Sequence, residues 1–291
     1  MRTLAHALSL LLLAALPACA APRQSPPCED PRPLRVALVP VKNTHTQTRQ
    51  YRPLITALEA ATGRRVQAEP AKSYGSVIEG LLAGDIDLAE VGPASYAIAL
   101  ERGAQIDPIA SFTLQPGPAT PSSRAYHSVL ISRHGHPARD LKQLRGGTLS
   151  LTDPASTSGA ILPRQAVQRL TGVPLEAYFE RITFAGAHDR SIEAVRTGRV
   201  DATFVASNAV DDAVRNGALR MDEIRILWRS TPIPYDPFVT RRSLCPALQK
   251  QIRQVFLGDT GPLQGMLREL GMTGFVPVTD EDYRDIRQLY P

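Results

Sequence analysis

The chain has 291 residues, with 33 Lys or Arg against 28 Asp or Glu, for a formal net charge of +5. That excess is scattered singly along stretches such as LQKQIRQV (248–255), with no aromatic-rich basic ribbon, which excludes nucleic acid as a partner. The length suffices for one large or two medium domains with well-buried cores.

The chain opens MRTLAHALSLLLLAALPACA, in which Arg2 precedes an apolar run to Leu16 and then small residues. This fits a secretory leader over residues 1–18, and the run is short for a membrane span. Leu16-Pro17-Ala18-Cys19 resembles the bacterial lipoprotein signal, where cleavage leaves the cysteine as a lipid-modified first residue. The alternative is ordinary secretion with cleavage at a nearby alanine. On the first reading Cys19 is the lipidation site and 19–33, containing PRQSPPCEDPRP, is a Pro-rich linker to a body held in the periplasm or at the cell surface. Cys28 and Cys245 then remain, and two cysteines in an oxidising compartment either pair or stay free thiols.

LRVALVPV (34–41) reads as a strand, YRPLITALEAATG (51–63) as an amphipathic helix stopped by Gly63, and RRVQAEPA (64–71) as a second strand. A helix to Leu82 then stops at Gly84, IDLAEV (86–91) is a short strand, and GPASY leads into another helix. Ile106 to Thr113 continues as a strand, and LQPGPATPSSR (114–124) is loop by its Pro, Gly and Ser content. YHSVLISR (126–133) restarts strand character, and DLKQLRGGTLSLT (140–152) is a short helix feeding a strand. After DPASTSGAILP (153–163), a helix runs to Gly172 and RITFAG (181–186) is a strand. HDRSIEAVRTGRVDATFVAS (188–207) repeats helix, glycine stop and strand. EIRILWRSTPIPYDPFVTRR (223–242) is strand-like and then Pro-rich, a return crossing, and ALQKQIRQVFLG and LQGMLREL supply closing helices.

This alternation predicts parallel strands with helices on their faces and ligands beyond the strand carboxyl ends. VIEGLLAGDIDLAEVG and IEAVRTGRVDATFVAS echo one another, which suggests two like lobes, although two generic helix-to-strand units would look similar by chance. The bounds expected are 34–122 plus 237–291 for one lobe and 123–236 for the other. Two crossings between them make a hinge, and a cleft beside a hinge is a place for ligand capture.

Ser156, Thr157 and Ser158 stand in a row on a strand-to-helix turn. Helix starts present unpaired N–H groups and the positive end of the dipole, so hydroxyls gathered there could surround an anion. One hydroxyl would suffice for ordinary N-capping. The chain has no GxxxxGK[ST], GxSxG, HExxH or CxxC, and Ser158 has no SxxK lysine, so no catalytic residue, metal site or cofactor is expected. His134 and His136, in the polar loop RHGHP, lack neighbouring ligands for a tetrahedral metal set. His188 differs: FAGAHDRSIEAV places it where a strand ends and a helix begins, the counterpart of the serine turn, unless Asp189 caps there and His188 is incidental.

SYGSVIEGLLAGDIDLAEVGPASYA, AYHSVLISR, DPASTSGAILPR, FAGAHDRSIEAVRTGRVDA and STPIPYDPFVTR, in this order, resemble the periplasmic phosphonate, phosphite and phosphate-type solute-binding proteins of ABC importers. The resemblance implies an α/β fold of two lobes, each a mixed, mainly parallel sheet flanked by helices, joined by a two-stranded hinge. It implies that Ser156, Thr157 and Ser158 cradle a small tetrahedral oxyanion, joined by Tyr74, Tyr126, His188 as a charge-assisted donor, and Asp236. Asn208 stands where aminoalkylphosphonate binders carry an acid, which disfavours an aminoalkyl ligand. Glu90 and Val91 replace the usual aromatic pair before the GP turn and alter the cleft wall. Asp236, a carboxylate beside an anion, reads as a selector for a protonated oxyanion or a cationic group. The partners implied are the oxyanion and an ABC permease, with the protein a monomer touching the membrane through its lipid alone. The alternative is a sensor of phosphorus or arsenic oxyanions presenting its ligand to a histidine kinase, although Cys28 and Cys245 lie outside the matched motifs.

Overall fold

The computed structural model describes residues 28–289; the leader, Cys19 and the linker to Pro27 lie outside the described residues. The first part of the chain alternates β1 (Leu34–Leu38), α1 (Thr44–Thr62), β2 (Val66–Pro70), α2 (Tyr74–Ala83), β3 (Leu88–Glu90), α3 (Pro93–Glu101) and β4 (Ile106–Leu114). There follow β5 (Ala125–Tyr126), β6 (Ser128–Arg133), β7 (Thr148–Leu151), a π-helical turn (Thr157–Ile161) running into α4 (Leu162–Thr171), α5 (Leu175–Tyr178) and β8 (Arg181–Phe184). The chain continues through α6 (His188–Arg196), β9 (Ala202–Ala206), α7 (Ser207–Arg215), β10 (Ile224–Arg229), β11 (Ile233–Pro234) and β12 (Pro237–Arg241). It closes with α8 (Pro246–Leu257), α9 (Gln264–Leu270), β13 (Met272–Val276) and α10 (Arg284–Arg287).

Two sheets organise two lobes. The first has the order β13-β4-β12-β3-β1-β2, with β1 to β4 running one way and β12 and β13 the other. The second, β10-β6-β9-β7-β8, runs one way except for β6. Between them β5 pairs antiparallel with β11, Tyr126 opposite Ile233, so the chain leaves the first lobe and returns to it through one two-stranded ladder.

Both sheets are covered on both faces, which is why their strands read as nearly continuous apolar runs. Successive side chains leave a strand on opposite faces. Thus Phe238 of β12 packs with Leu54, Leu58 and Phe256, beneath α1 and α8, while Val239 packs with Val77, Ile78 and Tyr96 of α2 and α3. In the second lobe Phe204 joins Leu151 and Val167, and Val205 joins Ile192 and Val210.

Several elements depart from the sequence reading, among them α7, to which it assigns no helix, and the start of α1 and strand β13. Helix α1 begins at Thr44, well before Tyr51, because the Asn43 side chain accepts from the N–H groups of His45 and Thr46 and so satisfies the first turn. The sequence reading places Pro53 at the helix start, where proline is normal; it lies within the helix instead. Strand β13 is unheralded, since MTGFV is short and carries Gly274, and it forms by pairing with β4 at the sheet edge.

The last part of the expected linker is held against the first lobe. Cys28 is bonded to Cys245, and Glu29 exchanges backbone hydrogen bonds with Ser243 and Cys245. Arg241 ties Glu29 to Asp87, whose carboxylate also receives Arg35. Burial pushes Asp87 up, but the hydrogen bonds from these arginines outweigh it and hold the pKa below the usual carboxylate range.

Candidate functional site

A cavity of about 260 Å³ lies between the lobes, beyond the carboxyl ends of β2, β3, β7, β8 and β9. Tyr74, Tyr126, Ser156, Thr157, Ser158, His188, Asn208 and Asp236 all line it. The topology explains the convergence. Tyr74 is the first residue of α2, His188 the first of α6, Asn208 lies in the first turn of α7, and the serine turn precedes α4. Positive helix ends therefore surround the space. Tyr126 comes from the hinge strand β5, and Asp236 sits between β11 and β12.

The serine turn is a wide π-turn for a local reason. Its amide at Gly159 donates to Ser156 Oγ at 3.1 Å, and a Cβ at Gly159 would collide with the side chain of Thr152. Glycine thus lets the turn close onto the end of β7. Ser156 Oγ spends a lone pair on that cap and is also hydrogen-bonded to the Tyr74 hydroxyl. Thr157 Oγ1 accepts from the Ala94 N–H of α3 at 2.9 Å, a bond from one lobe to the other. Ser95 Oγ donates to the Ala155 carbonyl at 3.0 Å, and Asp153 Oδ2 accepts from the Tyr74 N–H at 3.3 Å. A Cβ at Gly92 would sit 3.3 Å from Thr157 Oγ1, so the closed lobes meet there with little room to spare. Burial pushes the phenols of Tyr74 and Tyr126 well above the usual range, which keeps both hydroxyls protonated as donors.

His188 is neutral, so in a bond donated to an oxyanion the charge would lie on the acceptor's side alone. Burial pushes its pKa down to about 4. Its Nδ1 accepts from the Ala206 N–H at 3.2 Å and lies 3.0 Å from Thr152 Oγ1. An amide only donates, so Nδ1 is unprotonated and the neutral ring carries its proton on Nε2. Long-range nitrogen NMR at pH 6 is expected to show His188 as the neutral Nε2–H tautomer. An imidazolium pattern at that pH would contradict the assignment.

The other wall is acidic, and burial pushes its carboxyls toward the neutral form. Asp236 is buried, and desolvation first, then the nearby Glu90, push its carboxyl well above the usual range, while a hydrogen bond with Tyr126 acts against them. Burial likewise pushes Glu90 up to about 7, opposed by the Tyr51 hydroxyl, which donates to Glu90 Oε2 at 2.6 Å, and by Lys42. Asn208 donates through Nδ2 to Tyr235 Oη at 3.3 Å. Gln50, Tyr51, Tyr235 and Lys42, none of them singled out from the sequence, line the cavity with Glu90. The signal for two of them was polarity on the buried stripe Gln47, Gln50, Tyr51, Leu54 of α1, a stripe cut in half by starting the helix at Tyr51.

The family model described as ABC transporter, phosphonate, periplasmic substrate-binding protein matches residues 36–283. The phosphate-import protein PhnD of Mycolicibacterium smegmatis is 30% identical over 278 residues, covering 89% of this chain and 85% of that one. A binding protein component of an ABC phosphonate transporter from Pseudomonas aeruginosa superposes with TM-score 0.80 at 22% identity, covering 89% of this chain and 86% of its own. PhnD1 from Prochlorococcus marinus, solved in complex with methylphosphonate, does so with TM-score 0.75 at 18% identity, over 89% and 97%.

Proposed function

The chain belongs to the periplasmic substrate-binding proteins of phosphonate ABC transporters, and on that premise we propose that it captures a small tetrahedral phosphorus oxyanion between its lobes. The observation that supports this reading is the meeting of hydroxyls, neutral His188 and helix N-termini in one buried cavity. Ser156, Thr157, Ser158, Tyr74, Tyr126 and His188 replace the ion's water as hydrogen-bond donors, and the dipoles supply partial positive charge.

Burial pushes the Asp236 carboxyl toward its protonated form, in which it is one more donor. A carboxyl in that state accommodates an anion with which a carboxylate would clash. Asn208, an amide, carries no charge to balance an ammonium group. The ligand class is therefore phosphate, phosphite or a small alkylphosphonate rather than an aminoalkylphosphonate; one relative is named for phosphate import and another was solved with methylphosphonate. In the same reading the protein works as a monomer tethered through Cys19 and hands its ligand to an ABC permease.

A thermal-shift series with phosphate, phosphite, methylphosphonate and 2-aminoethylphosphonate tests the capture. A ligand at 100 times its Kd stabilises by about 2.7 kcal/mol, which in a protein of this size raises Tm by roughly 5–10 °C. At least one of the first three is expected to do so, with 2-aminoethylphosphonate weaker than the best of them. No shift with any of the four would refute the reading.

A further inference from the structure

We propose that Lys42, Asp212 and Arg215 form an ion chain across the cleft that holds the lobes shut and sets how long a ligand stays, without choosing which ligand. Lys42 lies in the loop after β1 in the first lobe, and Asp212 and Arg215 lie on α7 in the second. Lys42 Nζ is 2.7 Å from Asp212 Oδ2, with the two side chains 17% and 20% exposed. The other carboxylate oxygen, Oδ1, is 2.9 Å from Arg215 Nη2. That same nitrogen donates back to the first lobe, to the Leu270 carbonyl at 3.4 Å. Leu270 ends α9, so its carbonyl belongs to the negative end of a helix dipole.

One carboxylate on α7 is thus gripped from two places on the opposite lobe, directly by Lys42 and through Arg215 by α9. Gly271 fits the second grip. Its φ is +70°, and a Cβ there would collide with the Arg215 guanidinium. Beside Lys42 the closure is reinforced by backbone: the Asn43 N–H donates to Asp189 Oδ2 at 2.8 Å and the His188 N–H to the Val41 carbonyl at 3.1 Å.

All three charged residues line the cavity that holds the serine turn. Each cation there is already spent on Asp212, so the charges are arranged to hold lobe to lobe. Exposed ion pairs add little to stability, but this pair is mostly shielded from water and forms only on closure, so its free energy appears in the closed population.

For its ligand readout the inference rests on the capture reading. The test uses Asp212→Asn, Lys42→Met and the double variant, with Kd and dissociation rate measured for inorganic phosphate and methylphosphonate and small-angle scattering of the ligand-free proteins. Each single variant is expected to raise Kd by about 10-fold, by the same factor for every ligand that binds, through faster dissociation. The double variant is expected to be no weaker than the weaker single one, because either change breaks the same link. Ligand-free Asp212→Asn should show a larger radius of gyration than wild type. Different factors for two ligands, additive losses, an unchanged Kd or an unchanged radius of gyration would each overturn the ion chain. Should wild type bind neither ligand, the capture reading is what fails, and the scattering alone still decides the chain.

Discussion

Changing Ser156 and Ser158 together to alanine is expected to weaken binding of the wild-type ligand by roughly 10²- to 10⁴-fold, with a matching fall in the thermal shift. A hydrogen bond to a charged group is worth about 1.5–3 kcal/mol, so two lost hydroxyl donors amount to about 3–6 kcal/mol. The two positions separate function from folding. Ser156 Oγ also caps the turn by accepting from Gly159, and losing a cap costs about 1 kcal/mol of stability. The Ser158 carbonyl accepts from Ser128 Oγ at 2.7 Å, which alanine keeps, while its hydroxyl is hydrogen-bonded to Tyr126. Ser158→Ala should melt within a few degrees of wild type while binding at least 10-fold more weakly. Titration calorimetry with phosphate and methylphosphonate reads the loss. A double variant that binds within 10-fold of wild type would remove the serine turn from the site.

The serine turn and His188 were legible because each follows a strand and opens a helix, a position marked by apolar runs and Gly, Pro and Ser punctuation, whereas Tyr74 rests on the family resemblance alone. The hinge was legible for a related reason, since the strand-like stretch turns Pro-rich around Asp236, which marks the crossing back to the first lobe. What escaped depends on packing between segments distant in sequence. Glu90 reads as an altered part of the cleft wall, but only the fold brings Tyr51, 39 residues earlier, within 2.6 Å of it. Lys42 and Asp212 are separated by 170 residues and belong to different lobes, and no local pattern links them. The charge state of His188 was likewise hidden. Proton placement on an imidazole follows from what its other nitrogen touches, here the Ala206 amide of β9. The serine turn, Tyr74, Tyr126, His188, Asn208 and Asp236 are thus named by the sequence and its resemblance, while Gln50, Tyr51, Tyr235 and Lys42 are not.

The raised pKa of Glu90 makes the second large effect one of pH. Glu90→Gln is expected to stabilise the protein relative to wild type progressively as pH rises from below 5 to 8. The folded pKa of Glu90 is pushed up to about 7 against an ordinary 4.5, so the folded state holds a proton that the unfolded chain releases. Stability from a raised pKa is present in full below the unfolded value and is lost as pH rises through the folded one. For this group the window is about pH 4.5 to 7, and the loss approaches 3 kcal/mol by pH 8. Glutamine keeps an oxygen to accept from Tyr51 and has no proton to lose, so its Tm should not carry that slope. His188 titrates across part of the same range with the opposite sign. Its folded pKa of about 4 lies below the ordinary 6.5, so it weakens the fold as pH falls. Subtracting the Glu90→Gln curve from wild type cancels the histidine, which both proteins share. The same subtraction applies to binding. Above pH 7 wild-type Glu90 becomes an anion facing the cavity and should repel an oxyanion, while the ligand's own titration is common to both proteins. The ratio of wild-type to variant Kd is therefore expected to climb between pH 6 and 8. A ratio flat across that range, with parallel melting curves, would mean that Glu90 is ionised throughout and that the acidic wall must be neutralised some other way.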